Sequence, residues 1–357
     1  MTQWINVPMT RFFILAPDSF FTMKAALLRQ TGTPLTIEEI EKPQPGPGEI
    51  LIKVKACGVC HTDLHLVAGE WRLSKLPLVL GHEAVGVVES VGEGVKNFKA
   101  GDRAGIPWIY STCGECEFCT SDREPLCPAI VVTGFMVDGG FAEYVKVPAS
   151  HAVAVPPELG FVDAAPLYCA ALTAYRALKT SGARVGDTVV VWGVGGLGHY
   201  AVQIARAAGA RVVAVDVTPA KLELARQLGA EMAIDASKEK PSEIIRKMGG
   251  AHIVINFVCS QETITQALGS LRRAGTLVLV GLPQGDFTLP IRASVAKGLR
   301  VLTSAVGTRQ DLREVLALAA SGKIKTVGES LRLEDINSAF DRMRAGTISG
   351  RLVVEFP

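Results

Sequence analysis

The sequence predicts an α/β protein, a doubly wound parallel sheet joined to a second, β-rich domain. Two patterns and one motif carry this. After about Ala170, apolar strand-like runs alternate with helical segments, the order expected of βαβ units on a parallel sheet. A glycine-rich stretch, Gly193-Val194-Gly195-Gly196-Leu197-Gly198, stands directly behind the first of those runs. Before about Pro157 the chain reads instead as short strands broken by turns. At 357 residues there is length for two domains with a core each.

Residues 1–22 are read as an N-terminal extension before the domain that starts at Met23. Residues 12–16 of it are apolar and follow Arg11, too short a run for a signal-peptide core of roughly 7–15 residues. Next, Ile50, Ile52, Val54 and Ala56 alternate with Leu51, Lys53 and Lys55, a period-2 strand entered through Gly46-Pro47-Gly48. Residues 85–91 form another apolar run, closed by Gly92 and Gly94, and Gly101-Asp102 marks a further turn. In the second half, strands are expected at Thr188–Trp192, 211–215, 252–257 and 276–280. Helices are expected at 197–208, 220–228, 242–248 and 261–272, with further helical stretches at 310–320 and 334–344. Residues 351–356 read as a closing strand.

Composition removes several classes of function. The chain is 48% hydrophobic, which is too apolar for disorder. With 37 basic against 35 acidic residues and no Lys/Arg cluster, nothing suggests a nucleic-acid partner. The longest uncharged stretch, residues 188–205, holds four glycines plus His199 and Gln203 and makes a poor membrane span. Eight cysteines in a chain of this length are no disulfide scaffold, so a reduced, cytoplasmic compartment is expected.

The glycine stretch matches G-x-G-x-x-G, follows a strand, opens a helix and is answered by Asp216 at the end of the next strand. Gly193 would make the tight turn, Gly195 would admit the pyrophosphate to the backbone, and Gly198 would let helix and strand pack closely. The helix N-terminus supplies amide donors and partial positive charge. A carboxylate at Asp216 would bind the adenosine ribose hydroxyls and repel a 2′-phosphate, favouring NAD over NADP. Lys221, one helical turn on, is placed to touch the same ribose.

Two groups of residues suit metals. Cys113, Cys116, Cys119 and Cys127 form C-x2-C-x2-C-x7-C, the donor set of a closed structural zinc site. An iron–sulfur cluster competes, because Pro128 follows the last cysteine, although such runs place three residues before it. The second group is dispersed: Cys57-Gly58-Val59-Cys60-His61-Thr62-Asp63-Leu64-His65, then Gly81-His82-Glu83, then Cys169. Spacing alone leaves open a redox or zinc-knuckle pair at Cys57 and Cys60, and a structural role for His82. The neighbouring nucleotide motif points further, because two thiolates and one imidazole are what a catalytic zinc with an open position uses.

In this order, GVCHTDLH, GHEAVG, the four-cysteine lobe and GVGGLG resemble the zinc-dependent medium-chain alcohol dehydrogenases, nearest the ethanol-type yeast and bacterial members. The likeness runs over residues 23–357. It implies a GroES-like catalytic domain at 23–170 with its zinc lobe at 113–127, a Rossmann domain at 171–303, and a return to the catalytic domain at 304–357. By the same resemblance Cys60, His82 and Cys169 hold the catalytic zinc. Asp63 orients His82, and Glu83 stands behind the metal. His61 and Arg351 meet the coenzyme pyrophosphate, while Gly196, Leu197 and Val280 join Gly193, Gly195 and Gly198 in lining the coenzyme site. Trp71 and Trp108 narrow the substrate pocket, and Thr62 with His65 leads the proton out. Cys57 and Cys259 receive no role, and His151, His199 and His252 are read as surface or packing residues.

The activity implied is reversible oxidation of short primary, and some secondary, alcohols to aldehydes or ketones with hydride transfer to NAD. Two zinc ions per subunit and, by analogy, a homotetramer are implied with it. Polyol-oxidising relatives tend to carry Glu as third ligand, which Cys169 disfavours. A zinc- and NAD-binding protein without catalysis is the reading from another class. Thr62 as a mere helix cap is the structural alternative to its relay role.

Overall fold

The computed structural model describes residues 22–357. The extension expected at 1–22 therefore lies outside the described residues except for Thr22, which already belongs to the strand Thr22–Leu28.

The second half builds the sheet that the alternation implied. Six parallel strands among the described residues lie in the order Met232–Asp235, Arg211–Asp216, Thr188–Trp192, Ala251–Asn256, Leu271–Leu279, Arg300–Thr303. In chain order this is 3-2-1-4-5-6, the doubly wound arrangement. Its direction of winding reverses between Thr188–Trp192 and Ala251–Asn256, and ligands bind outside the carboxyl ends of the strands at that point. Every residue of Thr188–Trp192 is buried, as a central strand covered on both faces requires. Val189 and Val191 enter one core, while Val190 and Trp192 enter the core on the opposite face.

In the β-rich half, Glu49–Val59 is the organising strand. One of its edges pairs antiparallel with Ala84–Val91, and two further partners, Tyr144–Pro148 and Arg351–Glu355, take its first and last residues. The closing strand Arg351–Glu355 thus returns from the far end of the chain to the start of the catalytic half. A smaller sheet joins Thr36–Glu41, Thr22–Leu28 and Leu78–Val79. The core on one face of the parallel sheet continues through the helix Ala170–Ser181 to Ala56, Val85, Tyr168 and Val353 of the β-rich half. The two halves therefore share buried apolar surface.

Several expectations need correction. The helix placed at 261–272 stops at Ser270, because Leu271 takes an extended conformation and opens the strand Leu271–Leu279. The edge strands Met232–Asp235 and Arg300–Thr303 and the helix Ile291–Lys297 escaped the periodicity reading, being four to seven residues long. Leu51, which alternates with Ile50 and Ile52 in the same set as Lys53 and Lys55, is nevertheless 1% exposed, because Glu49–Val59 is covered on both sides over much of its length. No helix among the described residues is long and apolar enough to cross a membrane.

Candidate active site

Each residue of the dispersed group sits where an element ends. Cys60 leaves the strand Glu49–Val59 in extended conformation and is the N-cap of the helix His61–Ala68. Its backbone N–H donates to Asp63 Oδ2 at 2.8 Å. Thr62 lies inside this helix, so the reading of Thr62 as its cap is wrong; Cys60 and Asp63 cap it instead. His82 and Glu83 precede the strand Ala84–Val91 and follow Gly81, whose φ of +92° suits glycine. Cys169 ends the 3₁₀ turn Ala165–Tyr168 and begins the helix Ala170–Ser181.

Folding gathers these ends. One donor atom each from Cys60, His82, Glu83 and Cys169 lies within 4.8 Å of the others, and all four residues are buried. Gly58 makes room for this, since a Cβ there would overlap the Glu83 carboxylate. Asp63 Oδ1 stands 3.6 Å from His82 Nδ1, and Glu83 Oε1 stands 4.0 Å from His82 Nε2. Neither nitrogen of His82 has a hydrogen-bond partner, nor do Asp63 Oδ1 and Glu83 Oε2. Buried polar atoms are rarely left so. Two thiols, an imidazole and a carboxylate with open valences form a donor set that fits zinc.

The electrostatics agree with a cation-binding cluster. The neighbouring Cys169 thiol and then His82 hold Cys60 well below the usual thiol range, whereas Cys169, donating to Cys60 and buried, is pushed up. Burial pulls His82 down, but Asp63 and Cys60 outweigh it and raise it. Burial lifts Glu83 to about 7 despite its ion pair with Arg351. Cys57 stands outside the cluster, with its sulfur packed beneath Gly81 and Gly140 and burial pushing its thiol up.

Arg351 links this cluster to the glycine loop. It is 4% exposed, and one terminal nitrogen pairs with Glu83. A Cβ on Gly196 would lie 2.9 Å from its other terminal nitrogen. Along the loop, Gly193 has φ +91°, a Cβ on Gly198 would overlap the Gly193 carbonyl, and a Cβ on Gly195 would meet nothing within 4 Å. Gly195 thus faces open space at the carboxyl end of the sheet, a cradle that a coenzyme pyrophosphate fits. Asp216 closes the next strand with both oxygens engaged: Val194 N–H donates to Oδ2 at 2.7 Å, and those of Val217 and Thr218 donate to Oδ1. Val280 is buried just past Leu271–Leu279, Lys221 is half-buried, and His61 is exposed at the start of its helix.

An aromatic wall borders the cluster. Trp108 meets the His82 ring edge-on at 4.9 Å and stacks on Phe135 at 6.2 Å, while Trp71 contacts both Trp108 and Phe135. Phe135 escaped sequence reading because it sits in a loop with no motif around it. In the lobe, Cys113–Cys119, Cys116–Cys119 and Cys113–Cys127 sulfurs are 3.8, 3.5 and 3.6 Å apart. Four sulfurs about 2.3 Å from a central zinc would be roughly 3.8 Å apart, so the four-thiol set fits that ion.

Comparison with known proteins agrees with this architecture. Residues 46–157 match the alcohol dehydrogenase GroES-like domain, and residues 196–321 match the zinc-binding dehydrogenase domain. The chain is 49% identical to an alcohol dehydrogenase of Geobacillus stearothermophilus over 93% of its length and 99% of that protein. The crystal structure of the Aeropyrum pernix alcohol dehydrogenase superposes with a TM-score of 0.87 at 35% identity, covering 93% of this chain and 100% of that one. The acetophenone reductase of Geotrichum candidum, solved with NAD, gives 0.86 at 31% identity, covering 94% and 98%. A GroES-like domain fused to a zinc-binding dehydrogenase domain defines the class of oxidoreductase to which these relatives belong. The chain belongs to the zinc-dependent medium-chain alcohol dehydrogenase family, and it is an NAD-dependent alcohol dehydrogenase.

Proposed function

We propose that Cys60, His82 and Cys169 hold a catalytic zinc ion with one position left for substrate, and that the substrates are short primary and some secondary alcohols. The supporting observation is the buried cluster with both His82 nitrogens unpartnered. When bound, zinc supplies Lewis-acid polarisation of the substrate oxygen and NAD accepts the hydride. Asp63 holds the His82 ring in orientation, as carboxylate partners of ligating histidines do. Glu83, paired with Arg351, balances charge behind the ligands. Cys113, Cys116, Cys119 and Cys127 hold a second, structural zinc, giving two per chain.

Gly193, Gly195, Gly196, Leu197 and Gly198 cradle the coenzyme phosphates, with His61 and Arg351 facing the pyrophosphate. Asp216 and Lys221 receive the adenosine ribose, and Val280 lines the cleft. Trp71 and Trp108 limit the pocket to short chains. Thr62, two residues past Cys60, accepts the substrate proton and passes it on; His65, three residues further along the same helix, delivers it to water. By family analogy the assembly is a homotetramer, and the reduced compartment is the cytoplasm.

The test is a panel of alcohols with NAD and NADP, before and after chelation, with metal analysis. The reading requires two zinc ions per chain, NAD preferred, and ethanol oxidised better than bulky benzylic alcohols. One zinc per chain, or turnover unaffected by complete metal removal, refutes it. A Thr62→Ala enzyme that turns over normally refutes the relay.

A further inference from the structure

The helix His61–Ala68 ends in a reversal that the reaction described so far does not use. Gly69 closes it with φ +75°, and the backbone N–H groups of Gly69 and Glu70 donate to the carbonyls of Leu66 and His65. The Cβ of Thr31 lies 3.0 Å from where a Cβ on Gly69 would stand, a second reason for glycine here. This turn folds the next two residues back over the last helical turn. Glu70 Oε2 then lies 2.6 Å from His65 Nδ1, and the Trp71 ring stacks on the His65 ring at 5.5 Å and 14°. A carboxylate accepts and an imidazole nitrogen can donate, so the hydrogen of a neutral His65 sits on Nδ1. Nε2, on the other side of the ring, is left as the basic nitrogen.

We propose that Glu70 is a positioning residue for proton exit: it holds His65 in the tautomer whose Nε2 can take a proton, while Trp71 fixes the plane of the ring. The proposal rests on the reading of His65 as the outer member of the relay. For each alcohol oxidised, one proton reaches Nε2 and makes the ring an imidazolium. The same Nε2 proton then leaves to water, while the other hydrogen stays on Nδ1, donated to the Glu70 carboxylate throughout. The side chains of His65 and Glu70 are 25% and 37% exposed, so water has the access this step needs. An orienting carboxylate on a histidine is a recurrent device wherever one ring nitrogen must stay a base.

The experiment uses the zinc- and NAD-loaded enzyme with ¹⁵N-labelled histidine. In the parent, His65 should show the Nδ1–H tautomer. In Glu70→Ala it should shift towards the Nε2–H form that solvated imidazole prefers, with zinc content and melting temperature unchanged. Turnover of Glu70→Ala should fall on the order of tenfold or less, since proton-transfer groups contribute about 10²-fold upwards and water partly substitutes. Glu70→Gln keeps an acceptor and should keep most of the rate. In a His65→Gln background, Glu70→Ala should cost nothing further. An unchanged tautomer in Glu70→Ala overturns the proposal, as does an equal loss in both backgrounds. A His65→Gln enzyme running at the parent rate removes the relay itself and the proposal with it. A slowed His65→Gln enzyme beside an unaffected Glu70→Ala enzyme overturns the role of Glu70 alone.

Discussion

Asp63 divides its two oxygens between two duties. Oδ2 accepts the Cys60 N–H and caps a helix, while Oδ1 faces His82 Nδ1. Substitutions separate these. Asp63→Asn retains an acceptor for the cap but loses the charge beside His82, so zinc affinity should fall about 10–100-fold with little loss of helix stability. Asp63→Ala should lose the cap as well, at a cost of about 1 kcal/mol. Competition with a chromophoric chelator measures the first effect and thermal unfolding the second; undiminished zinc affinity in Asp63→Asn would end the assignment. Asp216 is similarly double. Asp216→Gly should move preference towards NADP, read as the ratio of kcat/KM values for the two coenzymes. It should also destabilise the loop, because the N–H groups of Val194, Val217 and Thr218 lose their acceptor. A variant whose coenzyme preference does not move would show that the carboxylate serves the loop alone.

At the scale of the element, the glycine loop separates positions that matter for the protein from positions that matter for the coenzyme. Gly198→Ala drives a Cβ into the Gly193 carbonyl, and backbone cannot step aside cheaply. It should destabilise the fold by more than about 1 kcal/mol, within the 1–3 kcal/mol typical of overpacking, with NAD affinity lowered as a consequence. Gly195→Ala meets no protein atom, so the melting temperature should stay within about 1 °C while NAD binding, followed by fluorescence, weakens several-fold. Equal NAD affinity in parent and Gly195→Ala would mean that the phosphates do not approach this residue. These positions read clearly in the sequence because strand, glycines and helix are contiguous. From residue types and spacing alone the metal cluster was legible only as candidate donors, and the set Cys60, His82 and Cys169 came from the family resemblance. Nothing in the spacing of Cys60, His82 and Cys169 states that three separate element ends converge, and Phe135 and Glu70 carried no signal at all.

Across the whole molecule, two buried histidines contribute to the response to acid. Burial, with Arg309 beside it, lowers His151 to about 4; burial and Arg351 lower His199 to about 3. In the unfolded chain both titrate near 6.5. Between those values the unfolded state binds protons that the folded state refuses, so stability should fall as pH drops from about 6.5 towards 4. Above about 6.5 both histidines are neutral in either state and contribute no slope. His151 accepts the Thr112 N–H through Nε2 at 3.1 Å, and a glutamine can offer an acceptor there without titrating. Denaturant midpoints from pH 4.5 to 7 should therefore vary less steeply for His151→Gln than for the parent. Parallel profiles would show that this residue does not drive the acid response.

By itself the sequence determined the parallel sheet, the nucleotide turn and the kinds of atoms available to bind metal. Those features are local: periodicity, turn chemistry and ligand type are properties of neighbouring residues. The family resemblance named which cysteines and histidine belong together, but only the tertiary structure supplies the physical reason that they meet. It set Cys57 apart from Cys60, buried Arg351 between Glu83 and Gly196, and stacked Trp71 on His65. These outcomes depend on strands paired across nearly the whole chain, as when Arg351–Glu355 returns to Glu49–Val59. No local pattern encodes such a pairing, because the free energy that selects it comes from burying both halves against one shared core.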